Sequence, residues 1–299
     1  MVFHEGELAV QERVGVSRQA SRVGGSIKPT IPPPAQVFLA QQPYVFAGSI
    51  DKKGRVWASM LAGEAGFLNV LNDRTIRIEA PVTDDLLFEN LKTDGRIGLL
   101  AIEFETRRRM RANGRARLDE DSIIVRTEEV FSNCPKYIQA RFWERNEFVP
   151  PYDEHPADTF AELTETQSGF IEAADTFIIA SAHESRGADV SHRGGNAGFV
   201  KVLGRKKLVF PDYSGNMMFQ TLGNLQFNPN SGLLFFDFSD GKLLQLTGQA
   251  EIVWDAERMK EFAGAERLVE FEISEVRESV RQTGLSWYFI DNSPFNPKL

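Results

Sequence analysis

The sequence lacks what several large protein classes require. It holds a single cysteine, Cys134, among 299 residues, so an intrachain disulfide and a cysteine-rich zinc or iron–sulfur site are both excluded. No stretch of the sequence reaches the roughly 18 apolar residues of a membrane-spanning helix. A net charge of −8 argues against a nucleic-acid-binding surface. We therefore expect a soluble, cytoplasmic protein that binds neither nucleic acid nor a membrane.

Motifs for several kinds of chemistry are also missing. The sequence has no Walker loop and no Rossmann glycine fingerprint. No group of histidine and acidic residues has the spacing of a metal site, and no Ser-His-Asp arrangement is recognisable, so we expect no bound metal. The one dense basic cluster, Arg107–Arg111, is interpreted as the solvated face of a strand or loop.

What the sequence does contain is a duplication. The segment GEAGFLNVL (Gly63–Leu71) recurs as GNAGFVKVL (Gly195–Leu203), at an offset of 198 − 66 = 132. Over Trp57–Asn72 against Asp189–Gly204, seven of sixteen positions are identical without a gap, where chance gives roughly one. Further on, matches continue at an offset of 248 − 114 = 134. A long period present only twice indicates two domains rather than a solenoid.

Each copy has the same pattern of elements. A short amphipathic helix, near 36–42 and 161–174, precedes apolar segments with the character of strands. A second helical stretch and two more strands complete the unit. Short connections favour antiparallel pairing, and closure into a small barrel removes exposed strand edges. The predicted fold class is therefore mainly β with flanking helices, built as two tandem barrels.

The domain boundaries follow from the repeat. The predicted units are residues 36–145 and residues 161–299, the latter including a C-terminal segment. Residues 1–35 are expected to form an arm that ends in the stiff spacer Pro32–Pro34. Proline and acidic residues mark 146–160 as a linker.

Four segments of the second copy occur in a recognisable order: DVSHRGG (Asp189–Gly195), KLVFPD (Lys207–Asp212), QTLGNLQFNPNSGLLFFDF (Gln220–Phe238) and LQLTGQAEI (Leu244–Ile252). In this order they resemble the flavin-binding split barrels related to pyridoxamine 5′-phosphate oxidase. The segment NCPKYIQ (Asn133–Gln139) resembles a subgroup of that family.

The resemblance implies two split barrels that form a pseudo-dimer within one chain. Family members are usually homodimers with flavin mononucleotide (FMN) at the interface, so we expect an FMN cleft between the units. An oxidoreductase is implied, with a small-molecule substrate and an electron donor or acceptor as partners. Pyridoxamine phosphate is not the expected substrate, because no second phosphate cradle is recognisable. Pairing of two chains into a homodimer stays open.

The two copies differ where the phosphate of FMN is expected. The second copy has Ser191-His192-Arg193 where the first has Ser59-Met60-Leu61, and phosphate needs donors and positive charge. The turn Ser214–Asn216 opens a predicted helix whose free amides face an anion, whereas its counterpart Val82–Asp85 ends in two acids. The sequence therefore predicts one phosphate site, built mainly by the second unit, with the first unit as a wall.

Individual candidates follow from this interpretation. Phosphate contacts are assigned to Ser191, Arg193, Ser214 and Thr221, with Lys201 as a further source of charge. Many family members have lysine at the position of Thr221. His192 is a possible hydrogen-bond donor to flavin or an acid–base group, although strand alternation turns it away from Ser191 and Arg193. Asn224 is a further candidate, but Asn90 matches it in the first copy, which favours a structural contact.

Other interpretations stay open. A non-catalytic protein could use the same barrels to hold flavin or haem, with His183 or His192 as the axial ligand of haem. Asn133 and Pro135 around Cys134 predict the start of a helix, with a buried thiol favoured over a reactive one. The pair Trp287-Tyr288 is expected to form either a lid over the cleft or a docked terminal segment.

Overall fold

The computed structural model describes residues 2–64, 66–79, 86–145, 157–239, 241–280 and 284–298. Strands dominate. The helices of the described residues are α1 (Glu5–Val14), α2 (Ser17–Gly24), α3 (Pro33–Ala40), α4 (Leu86–Thr93), α5 (Glu165–Ala173), α6 (Gln220–Leu225) and α7 (Ala256–Met259). None of them has the length and apolar character needed to span a membrane.

The strands fall into two sets that follow the duplication. The first unit contains β1 (Tyr44–Ile50), β2 (Val56–Ala62), β3 (Leu68–Asn72), β4 (Thr75–Ile78), β5 (Arg96–Glu103), β6 (Arg108–Asp119), β7 (Ser122–Ser132) and β8 (Ala140–Arg145). The second contains β9 (Asp158–Phe160), β10 (Thr176–His183), β11 (Gly187–Gly194), β12 (Lys201–Val202), β13 (Lys207–Asp212), β14 (Asn230–Phe236), β15 (Lys242–Val253), β16 (Arg267–Val280) and β17 (Leu285–Asp291).

The two main sheets have the same strand order. It is β2-β1-β5-β6-β7-β4-β3 in the first unit and β11-β10-β14-β15-β16-β13-β12 in the second, and every neighbouring pair is antiparallel. Both sheets carry a register shift at the matched glycine, Gly114 and Gly248. Such an irregularity bends the strand and tightens its twist, which helps a sheet close. The predicted fold class, two tandem split barrels, is confirmed.

Each barrel has its own apolar core, and a third core lies between them. Residues of both units form this third cluster, among them Phe46 and Met60 from the first and Ile178 and Leu234 from the second. Strands β1, β2 and β10 are buried on both faces as a result. One face packs into the barrel and the other against the opposite unit, which explains why these segments are almost continuously apolar.

Glycines allow the two backbones to approach at this seam. A Cβ atom on Gly98 would lie 2.8 Å from Cα of Asp189, and one on Gly232 would lie 2.6 Å from the carbonyl oxygen of Val56. Gly98 and Gly232 are matched positions of the repeat, and Val56 immediately precedes Trp57, the residue aligned with Asp189. The units therefore contact each other through equivalent points, as the halves of a symmetric dimer do.

The N-terminal arm contains helices that the sequence analysis did not predict. Residues 1–35 include α1 and α2, and α1 packs on α6 of the second unit. Pro33 and Pro34 begin α3 and do not form a spacer, because a fixed φ and a missing N–H suit the first turn of a helix. His4 caps α1: its ring accepts a hydrogen bond from the Gly6 amide, and the Glu7 carboxylate accepts from the His4 amide at 2.8 Å.

Two further expectations concern the connections. Part of the predicted linker, residues 146–156, lies outside the described residues. The same holds for Val82–Asp85. In the described part of the linker, β9 pairs with β16. Trp287 and Tyr288 lie in β17, which pairs with β8 in a two-stranded sheet. Trp287 is buried and Tyr288 is exposed, so the segment is docked on the fold and the alternative of a lid is not observed.

Candidate functional site

A polar cleft lies where β11 of the second unit meets β6 of the first. It has two connected lobes, which share Arg111, Ser191, Arg193, Tyr213, Gly215 and Asn216. The inner lobe encloses about 550 Å³, partly open to solvent, and is further lined by Arg109, Asn133, Cys134, Lys136, Tyr137, His192, Gly194, Phe199 and Pro211. The outer lobe, whose volume of about 370 Å³ includes open solvent, is further lined by Asp212, Met217, Phe219, Gln220, Thr221 and Leu222.

Strand alternation on β11 arranges the second unit's contribution. Ser191 and Arg193 line both lobes, whereas His192 lines the inner lobe only. The imidazole of His192 meets the ring of Phe104 edge to face, with centroids 6.3 Å apart. The alternation predicted from the sequence thus holds, and both faces of the strand contribute to the cleft.

Arg111 connects the two units at the junction of the lobes. Its Nη1 lies 3.1 Å from both carboxylate oxygens of Asp189 and 3.2 Å from Oε1 of Gln220, and its Nη2 donates to Oγ of Ser191. Asn113 also donates to Asp189, at 3.0 Å. All these side chains are buried. The carboxylate balances the guanidinium, which would otherwise be costly to remove from water.

Arg193 is held by an acid on the neighbouring wall. Its Nη1 lies 3.0 Å from Oδ1 of Asp212, and Nε of the buried Arg267 lies 3.5 Å from Oδ2 of the same carboxylate. Burial lowers the pKa of Arg193 and the Asp212 charge opposes this change; the guanidinium stays protonated. Nε of Arg193, like Nε of Arg111, is buried without a hydrogen-bond partner among the described residues. Donors are therefore left over for a ligand.

The inner lobe contains a third guanidinium, that of Arg109. Its Nε donates to the carbonyl of Cys134 at 2.8 Å, and its Nη1 lies 3.1 Å from Nδ1 of His192. Burial lowers the pKa of Arg109 to about 10. Burial and the nearby Arg109 and Arg193 charges hold the pKa of His192 well below its usual value, so the imidazole is neutral. Because Nδ1 accepts from Arg109, Nε2 carries the proton, and that buried N–H has no partner among the described residues.

The sequence-predicted residues are only partly brought together. Ser191, His192, Arg193 and Thr221 line the cleft. Ser214 is an exposed residue at its rim, next to the lining residue Gly215. The predicted helix does not start there, since α6 begins at Gln220 after Met217 and Phe219, which have left-handed backbone angles.

Two predicted residues lie elsewhere. Lys201 is on β12, at the far edge of the second sheet, where its amine contacts Glu261 and the ring of Phe262. Asn224 is buried under the arm; its amide donates to Ser181 at 2.9 Å and its oxygen contacts His4. In the first unit, Asn90 donates to Ser49 at 2.9 Å. The repeated contact assigns these asparagines a structural role.

The first unit, which was expected to form only a wall of the site, also contributes charged side chains to the cleft. The interpretation of Arg107–Arg111 as a solvated face is wrong for Arg109 and Arg111, which point into the cleft while Arg108 is exposed. The pairing of β6 with β5 and of β15 with β14 matches Arg111 to Gln245 and Arg109 to Leu243. This difference between the copies, together with strand alternation, is the signal by which the sequence could have revealed them.

The pseudo-equivalent position on the other side of the seam is apolar. There Gln245 donates to Oγ of Ser59 at 3.1 Å, as Arg111 does to Ser191. Met60 and Leu243 stand in place of His192 and Arg109, and both belong to the core between the units together with Trp287 of β17. Among the described residues, the cleft is thus polar on one side of the seam, whereas Met60 and Leu243 make the equivalent position on the other side part of the hydrophobic core.

The two other histidines of the described residues, His4 and His183, lie away from the cleft. Ligand atoms of His4, Glu5 and His183 lie within 4.8 Å of one another, a spacing that would suit a metal ion. However, Nδ1 of His4 accepts from the Gly6 amide and Nε2 contacts Oδ1 of Asn224. The rings of His4 and His183 are stacked at 3.9 Å. Both nitrogens of His4 are thus engaged in holding the arm, and we assign the group no metal.

Cys134 lies in an irregular segment after β7, and the helix predicted to start there is not formed. Tyr137 adopts a left-handed conformation with φ 63°, and the Cys134 carbonyl accepts from Arg109. The thiol is half-buried and lines the inner lobe, with Sγ 3.9 Å from Nη2 of Arg109. A buried thiol was expected, and the structure shows one that is only partly buried.

Comparisons with known proteins agree with this fold. Residues 163–283 match the family model of pyridoxamine 5′-phosphate oxidase. No curated protein sequence matches the chain significantly. Among solved structures, Group A Streptococcus HupZ is 12% identical and matches 37% of this chain and 89% of its own, with a TM-score of 0.31. A candidate pyridoxamine 5′-phosphate oxidase from Lactobacillus delbrueckii is 20% identical, with coverages of 39% and 94% and a TM-score of 0.33.

A third similar structure is the FAD binding protein from Mycobacterium smegmatis, which is 12% identical over 43% of this chain and 100% of its own, with a TM-score of 0.29. Each of the three covers less than half of this chain. The match of residues 163–283 supports a split barrel of the pyridoxamine 5′-phosphate oxidase type in the second unit, and the first unit has the same strand order.

Proposed function

We propose that the chain binds one FMN in the cleft between its units and acts as an FMN-dependent oxidoreductase. The observation that carries the proposal is the convergence of Arg111 from one unit with Ser191 and Arg193 from the other. Two buried guanidinium nitrogens there, Nε of Arg111 and of Arg193, lack partners among the described residues. Nε of Arg74, Arg77, Arg267 and Arg277 is also unpartnered among the described residues, so the proposal rests on the convergence of these groups in one cleft rather than on the unpartnered nitrogens alone.

The outer lobe has the donors that a phosphate requires. The hydroxyls of Ser191 and Thr221 line it together with the guanidinium groups of Arg111 and Arg193. Phosphate oxygens accept several hydrogen bonds at once, and guanidinium groups suit them in charge and geometry. Thr221 replaces the lysine of many family members, and in our proposal Arg111 of the first unit supplies the cation that this lysine would provide.

The inner lobe is the space that remains for the flavin ring and for the molecule that reacts with it. Gly194 and the rings of Tyr137 and Tyr213, with centroids 4.9 Å apart, lie along it. FMN supplies hydride or single-electron transfer when bound. The chain's part is to orient the ring, to limit access of water and to offer the N–H of His192 as a donor. None of this needs a protein nucleophile.

The alternative is a non-catalytic protein that holds flavin or haem. A haem would need an axial ligand, and His183 is engaged with His4 and Ser185 away from the cleft. His192 is then the histidine that could serve, and it is surrounded by arginines. The donor set of the outer lobe favours a phosphate instead.

The absorption spectrum of the purified protein, followed by mass identification of the released ligand, tests the proposal. We expect a flavin band near ~450 nm, release of FMN, and one FMN per chain because the counterpart cleft is filled. Photoreduction of the bound flavin and reoxidation by an electron acceptor would separate an oxidoreductase from a binding protein. A Soret band, or colourless protein that takes up no added FMN, would contradict the proposal.

A further inference from the structure

Two cations of the inner lobe have no carboxylate partner among the described residues. Arg109 contacts a backbone carbonyl, the neutral imidazole of His192 and a thiol. The amine of Lys136 approaches the carbonyl of Ser214 at 3.5 Å and lies 5.7 Å from the ring centre of Phe295. Neither charge is neutralised by these contacts.

The cations shared with the outer lobe are different. Arg111 lies 3.1 Å from the Asp189 carboxylate, and Arg193 lies 3.0 Å from that of Asp212. Arg109 and Lys136 therefore add to the inner lobe two positive charges that no carboxylate of the described residues balances, beside the paired guanidinium groups that both lobes share. In a partly enclosed site such unpaired charges act more strongly than on an open surface.

The inner lobe also contains a buried hydrogen-bond donor, the N–H of His192. Nε2 of His192 carries a proton, because Nδ1 accepts from Arg109, and it has no partner among the described residues. The imidazole is neutral, so it offers a hydrogen bond without adding a third charge. A guanidinium, an ammonium and an N–H in one lobe make a donor set for a compact oxyanion.

We propose that the inner lobe binds the oxyanion, a carboxylate or a phosphate, of the molecule that reacts with the flavin. Arg109 and Lys136 bind the anion, and the N–H of His192 orients it. This assignment rests on the proposed function, in which the phosphate of FMN takes the outer lobe through Ser191 and Thr221. It gives the substrate a class, an organic anion.

Titration of the FMN-loaded protein with three probes of similar shape tests this inference. The probes are benzoate, phenyl phosphate and the neutral benzamide, and the readouts are the change in the flavin absorption band and the heat of binding. We expect benzoate or phenyl phosphate to bind and benzamide to bind at least about tenfold more weakly, since the charge-assisted hydrogen bonds are lost. The first two probes distinguish a carboxylate ligand from a phosphate ligand.

Variants connect the binding to the lobe. Arg109→Leu and Lys136→Met are each expected to lower the affinity for the anion about ten- to hundredfold. Leucine is the residue at the matched position of the second copy. The matched control is Arg108→Leu, on the same strand, because Arg108 is exposed and paired with Glu103. This control should bind the anion as the unchanged protein does.

The outcomes separate this inference from the proposed function. If the protein takes up no FMN, calorimetry with benzoate and phenyl phosphate on the FMN-free protein still measures the inner lobe. Equal binding of benzoate and benzamide, or no binding of either anion, would overturn the inference. It would also be overturned if Arg109→Leu weakened the binding of FMN but not the binding of the anion, because the guanidinium would then contact the flavin itself.

Discussion

The guanidinium of Arg111 in the first unit donates a hydrogen bond to the hydroxyl of Ser191 in the second. At the pseudo-equivalent position Gln245 of the second unit donates to Ser59 of the first. One geometry has been kept on both sides of the seam, but a charge remains on only one side. A symmetric dimer has two identical sites by necessity. Two units within one chain are free of that constraint, because their sequences differ, so one site can be polar while its counterpart belongs to the core.

Arg193→Ala should strongly weaken FMN binding and leave the fold intact. The substitution removes a hydrogen-bond donor to the FMN phosphate, and we expect the affinity for FMN to fall about ten- to hundredfold or more. Its partner Asp212 stays paired with Arg267, so no uncompensated carboxylate is created. Equilibrium dialysis of FMN and circular dichroism measure the two effects.

Lys201→Ala is the control for Arg193→Ala, because it removes a cation of the same unit that the structure places outside the cleft. Its affinity for FMN should be unchanged. Normal FMN occupancy in Arg193→Ala would rule out the phosphate assignment.

Arg111→Gln should weaken the binding of FMN and also destabilise the protein. The destabilisation is expected because the buried Asp189 loses its ion pair. Breaking such a pair costs about 3–5 kcal/mol when nothing replaces it, and glutamine replaces part of the hydrogen bonding. FMN affinity at a temperature where the variant is folded, and chemical denaturation, give the two quantities. Arg115→Gln, on the same strand, changes an exposed pair with Glu128 and should alter neither. Equal FMN affinities in the two variants would show that the first unit supplies no cofactor contact.

The fold was predictable because the sequence contains an internal repeat that can be recognised directly. Each unit carries the same strand order, and local alternation was sufficient to separate Ser191 and Arg193 from His192. The first unit's half of the site could be found only by comparing the copies, which match Arg109 and Arg111 to Leu243 and Gln245. Arg111 reaches Asp189 only because β6 of one barrel lies against β11 of the other, and no local pattern in Arg107–Arg111 specifies that contact.

Two local signals were overridden by tertiary contacts. Asn133 and Pro135 have the residue types of a helix start, yet the segment is irregular, with the Cys134 carbonyl bonded to Arg109. Lys201 lies only eight positions after Arg193 in the sequence. The chain nevertheless carries it to β12 at the far edge of the sheet. Sequence proximity is a poor guide to a site built across strands.

Gly98→Ala and Gly232→Ala should each destabilise the protein by about 1–3 kcal/mol, the usual cost of forcing extra volume into a packed interior. A methyl group at either position would meet the backbone of the opposite unit, which cannot move aside as a side chain can. Denaturation by urea measures the effect. Gly169→Ala, in α5 with open space around it, should be neutral or stabilising by about 0.5–1 kcal/mol. If all three variants behaved alike, close contact at the seam would not limit stability.

Docking of the N-terminal arm should depend on pH through Glu7. Its carboxyl is buried beside His4, Glu129, Asp189 and Arg186, and burial raises its pKa from 4.5 to about 8. The docked arm therefore holds Glu7 protonated while the free arm releases the proton above its ordinary pKa. Stabilisation from this group is complete below pH 4.5 and is lost as the pH rises through 8.

His4 acts in the opposite direction, because burial lowers its pKa from 6.5 to about 4. Its contribution is complete above pH 6.5 and is lost as the pH falls through 4. Between 4.5 and 6.5 the two slopes oppose each other, so docking should vary little there and weaken above 6.5. Hydrogen exchange of α1 (Glu5–Val14) across this range measures docking. Glu7→Gln should remove the loss above pH 6.5, and an unchanged decline in that variant would show that another group controls the arm.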